Sequence, residues 1–133
     1  MRERFSRKML PLRTQCFRFI VEKDLAKVER MLERIKVDLK KTDWNKGYLT
    51  ALNGMASALR SENDQCVLIL KMSAENLNDL KKTFLKNSKD QLFTDFDRGF
   101  FSAWVDYLDF VENFNALKNS MKLEETEYAK ESK

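Results

Sequence analysis

Apolar residues recur at steps of three and four along almost the whole chain, and only three glycines and one proline interrupt its 133 residues. That spacing gathers side chains on one face of a helix, whereas a half-buried strand needs strict alternation. Phe17, Ile20, Val21, Leu25, Val28, Met31, Leu32, Ile35 and Leu39 form the first such face, with "KVERMLERIKVDLKK" setting charge opposite it. Charged residues make up 35% of the chain, which together with the scarcity of turn formers leaves no room for a sheet and predicts an all-α fold. A chain of this length buries roughly two-thirds of the surface its unfolded form exposes, enough for one domain core.

The periodicity predicts one long helix from Leu12 to about Thr42, with Pro11 in its first turn, where a missing N–H costs nothing. Residues 1–11 precede it as a basic arm. Thr42 or Asp43 caps a second helix of about 17 residues that ends in the polar cluster "RSEND". A third runs from about Gln65 to Lys86 and is broken by "KNSKD". The fourth starts at Thr94 or Asp95 and carries Phe96, Phe100, Ala103, Tyr107, Phe110, Phe114 and Leu117. Residues 1–118 form the expected domain, and 119–133 a polar segment with few anchors, a frayed helical extension or C-terminal tail.

Two decamers share one pattern 52 residues apart: "DWNKGYLTAL" from Asp43 and "DFDRGFFSAW" from Asp95. Each opens a helix just after a threonine, Thr42 or Thr94, and the match extends weakly upstream, Leu25 with Leu77 and Val28 with Leu80. The expected architecture is therefore a bundle of two tandem αα-hairpins, 12–60 and 65–118, with four main helices related by an internal repeat. The period is not the roughly 34 residues of a tetratricopeptide array, and the order of Trp, Gly and Tyr differs from it. Gly47 and Gly99 each cost about 1 kcal/mol relative to Ala inside a helix, which predicts close approach of another backbone at both. In the first copy Gly47, Ala51, Gly54 and Ala58 make a small-residue stripe; the second copy substitutes Asp106 and Phe110 at its last two positions.

Residues that would carry chemistry are few. The chain has no histidine, and Cys16 and Cys66 are isolated, so neither a zinc site nor a disulfide framework is expected, nor any cofactor. Pairs such as Asp106/Asp109 and Glu124/Glu125 suit solvated helix faces, and the chain is not expected to be an enzyme. No uninterrupted apolar run is long enough to span a bilayer, and charges break every apolar run near the N-terminus, so a soluble, cytoplasmic protein without a signal peptide is expected.

Two function classes remain. The leading one is a helical protein–protein interaction module, self-associating or binding another protein, whose interface is the aromatic face Phe100, Phe101, Trp104, Tyr107 and Phe114. The alternative is a nucleic-acid-associated factor. Net charge is +4, and residues 1–23 carry seven cations against two carboxylates, so the basicity is local. Arg2, Arg4, Arg7, Lys8 and Arg13 would meet phosphates, mostly without sequence preference. Lys46 and Arg98, in the first turns of their helices, are further anion candidates; local pairing with Asp43 and Asp95 is the simpler role.

Overall fold

The computed structural model describes residues 9–60 and 74–131, in which five helices and no strands form an all-α bundle. They are α1 (Leu10–Val21), α2 (Leu25–Asp38), α3 (Asp43–Arg60), α4 (Ala74–Lys89) and α5 (Asp95–Glu131). The start expected for the third helix, near Gln65, lies outside the described residues.

The long helix expected over residues 12–42 is two helices. Lys23 turns the chain with a φ of 60°. Around it the Lys23 N–H donates to the Ile20 carbonyl and the Asp24 N–H to the Phe19 carbonyl, both at 3.0 Å. This is the Schellman arrangement, with lysine where glycine is usual. Asp24 then caps α2, accepting from the Lys27 N–H at 3.3 Å. A left-handed lysine costs about 1 kcal/mol relative to glycine. The fold-back offsets that cost by seating Phe17 and Ile20 of α1 in the same core as Val28, Leu32 and Ile35 of α2.

The other helix starts follow the local rules closely. Thr42 Oγ1 accepts from the Asn45 N–H at 3.2 Å, and Thr94 Oγ1 from the Asp97 N–H at 3.1 Å, so α3 and α5 carry the same cap 52 residues apart. Ahead of α5, Asp90 accepts from the Leu92 N–H at 2.9 Å and shapes the turn out of α4.

Helix α3 is central: eight of its 18 residues are buried, among them Tyr48, Ala51, Leu52 and Met55. It lies against α5 so tightly that a Cβ on Gly47 would fall 1.8 Å from the Phe96 carbonyl oxygen, and one on Gly99 would fall 1.9 Å from that of Trp44. The approach is reciprocal, because Phe96 and Trp44 occupy matching places in the two decamers. The helices run in the same direction. Were they antiparallel about this crossing, Asp106 would lie about 16 Å along the axis from Tyr48; the two side chains are instead hydrogen-bonded.

Each of these helices also pairs with the helix before it. Arg60 of α3 bonds Glu29 of α2, and Lys81 of α4 bonds Asp109 and, at 3.0 Å, Glu112 of α5. Glu29 and Lys81 are 52 residues apart, as are Arg60 and Glu112, and the two pairs carry opposite signs. Aromatic packing closes the core, with Phe17 edge-on to Tyr107 at 5.5 Å and Trp104 edge-on to Tyr107 at 5.9 Å.

Candidate functional site

Where α5 departs from the small-residue stripe of α3, it places a carboxylate. Asp106 accepts a hydrogen bond from the Tyr48 hydroxyl at 2.7 Å and another from Arg13 Nη1 at 3.2 Å. Three helices, α1, α3 and α5, meet through this one carboxylate. Tyr48 is fully buried, whereas the Arg13 and Asp106 side chains keep 25% and 32% of their surface. Burial, then the Asp106 charge, pushes the Tyr48 phenol well above its ordinary value of 10.0, while Arg13 acts the other way. Tyr48 is thus a neutral, fixed donor to a carboxylate. Arg13 also lies over the Phe17 ring at 5.9 Å, and its buried Nε has no hydrogen-bond partner.

This cluster forms one wall of a cavity of about 370 Å³. The apolar lining comes from Leu10, Trp44, Leu85 and Val105, one residue from each of four helices. Ser102, Ser88 and Lys89 complete the polar side. Ser88 is already engaged, its hydroxyl donating to the Leu85 carbonyl at 2.7 Å. Trp44 stacks on Tyr48 at 5.3 Å between ring centroids, which fixes the indole beside the cavity. Among the described residues the lining is thus four apolar side chains facing six polar or charged ones.

The residues singled out in the sequence are distributed differently. Trp104 and Tyr107 are core residues, 1% and 5% exposed, and Phe84 and Phe17 cover them. Phe100, Phe101 and Phe114 are half-buried. Arg98 bonds Asp95, the local pairing foreseen for it, while Lys46 is exposed and forms no ion pair with Asp43. Arg2, Arg4, Arg7 and Lys8 lie outside the described residues. Arg13 belongs to the cavity wall rather than to an arm. Cys16 is buried and its thiol is pushed up to about 12, so it packs as an apolar residue at neutral pH; Cys66 lies outside the described residues.

Sequence reasoning missed the association of Arg13, Tyr48 and Asp106, which are separated by 93 and 58 residues. The signal that could have found it was Asp106 itself, a charge standing where the first decamer's helix has Gly54. Among the described residues no three His, Cys, Asp or Glu side chains are grouped to hold a metal ion, and no helix is long and apolar enough to cross a membrane. Comparison with protein-family models, with curated proteins and with solved structures finds no match for this chain.

Proposed function

We propose that this chain is a non-enzymatic helical interaction module that associates with a second copy of itself through the outer part of α5. The observation that carries the reading is an apolar stripe on α5 that runs on past its last buried described residue, Leu108. Past Leu108 on α5, Phe110, Phe114 and Leu117 follow one another at steps of four and three. Phe110 stacks on Phe114 at 5.7 Å, both half-buried, and Leu117 is 62% exposed. An apolar stripe that continues while burial by the described residues declines is the form a helix takes when it packs on another helix. Phe100 and Phe101 extend the same aromatic character toward the helix start.

Light scattering on the full chain tests this directly. A mass that rises toward twice the monomer with concentration is expected, and Phe114→Asp with Leu117→Lys should return the monomer mass without loss of helical circular dichroism. A monomer at every concentration, or association indifferent to both substitutions, contradicts it.

The same proposal holds that the two helix pairs, α2 with α3 and α4 with α5, are tandem hairpins related by the 52-residue step. Support comes from three coincidences at that step: the matched threonine caps, the reciprocal glycine contacts and the sign-exchanged ion pair.

A further inference from the structure

We propose that the cavity between α1, α3, α4 and α5 binds a small amphipathic monocarboxylate, with its carboxylate at Lys89 and Arg13 and its apolar body against Trp44, Leu85 and Val105. The inference stands apart from self-association, since the cavity walls include none of Phe110, Phe114 and Leu117.

Charge selects the class of ligand. Among the described residues the wall carries two cations, Arg13 and Lys89, and one carboxylate, Asp106. Asp106 already accepts from Tyr48 and Arg13, so its charge is balanced and an incoming ammonium group would have to displace a guanidinium. Lys89 is exposed and has no ion pair with any described carboxylate. Among the described lining residues the surplus is one positive charge, which suits one negative charge rather than a doubly ionised phosphate. Arg13 is held in place by its bond to Asp106 and by the Phe17 ring, so its positive charge is fixed at the cavity wall. Ser102 adds a hydroxyl on the same side.

Shape selects the rest. Leu10, Trp44, Leu85 and Val105 present aliphatic and aromatic surface that a purely polar anion would leave dry and unmatched. A phenyl or short alkyl body attached to the carboxylate covers it. The stacked Trp44–Tyr48 pair gives that body a rigid flat wall.

Calorimetric titration of the full chain with 3-phenylpropanoate, and with 3-phenylpropan-1-ol as its uncharged counterpart, tests the assignment. The carboxylate should bind roughly tenfold tighter than the alcohol, the size of one charge-assisted hydrogen bond. Lys89→Gln, on an exposed side chain whose loss should leave the melting midpoint unchanged, should erase that preference. Ser102→Trp should fill the cavity and abolish binding of both compounds. No binding of either, equal binding of the two, or a preference that survives Lys89→Gln overturns the proposal.

Discussion

The helix starting at Asp43 and the helix starting at Asp95 are built alike for their first two turns and then diverge. Both take a threonine cap and both bring a glycine onto the other's backbone. Beyond that point α3 continues small with Gly54 and Ala58, whereas α5 carries Asp106 and Phe110. The same step takes Tyr48 to Phe100, which has no hydroxyl to donate. The glycines set the helix crossing; farther along, Asp106 brings a polar cluster to the edge of the cavity. Architecture and specialisation thus rest on different residues.

The shared part should be the most sensitive to change. Gly47→Ala should destabilise by at least about 3 kcal/mol in denaturant unfolding, although alanine is the better helix former, because the new methyl meets backbone that cannot rotate aside. Gly99→Ala should cost a similar amount. If only one of the two is harmful, the likeness of the halves fails at its strongest point.

The divergent part ranks next. Asp106→Ala removes the acceptor for Tyr48 and Arg13 and should cost about 2 kcal/mol, since it strands a buried hydroxyl and a partly buried cation. A neutral result would reduce the cluster to surface decoration. Tyr48→Phe, which makes α3 resemble α5, should cost about 1 kcal/mol at neutral pH. Its pH dependence has a definite sign. The folded-state pKa of Tyr48 lies above its ordinary value of 10.0, so the neutral phenol contributes stability fully below pH 10 and loses it as pH rises beyond. Tyr48→Phe should therefore flatten the alkaline fall in stability, and an unchanged alkaline limb would contradict the buried donor.

The smallest effect belongs to the exchanged ion pair. Glu29 and Arg60 keep about half their side-chain surface, so reversing both, Glu29→Arg with Arg60→Glu, should change stability by no more than a few tenths of a kcal/mol. Either reversal alone should be worse than the pair.

Much of this crossing was legible in the sequence because its causes are local. A threonine before an acidic residue marks a helix start, and a glycine kept inside a helix at a propensity cost marks a contact. The break between α1 and α2 was not legible, since Val21 and Leu25 continue the four-residue step straight through it and a lysine does the work that glycine usually signals. Asp24, a good cap in mid-run, was the one local hint. The polar cluster was hidden for a different reason: Arg13, Tyr48 and Asp106 belong to three helices, and only tertiary packing brings them within hydrogen-bond reach. The aromatic residues of α5 were identifiable as a group, but period alone cannot separate Trp104 and Tyr107, which are core, from Phe114, which lies near the edge.

The reciprocal approach of α3 and α5 is tested most directly by a double-mutant cycle at Gly47 and Gly99, measured by denaturant unfolding. If each methyl forces the same two backbones apart, the first alanine opens the gap that the second needs. The double variant should then lose much less stability than the two single losses combined, a coupling of about 1 kcal/mol or more. Strictly additive losses would mean that the two glycines serve separate contacts, and would contradict the shared crossing on which this description of the fold depends.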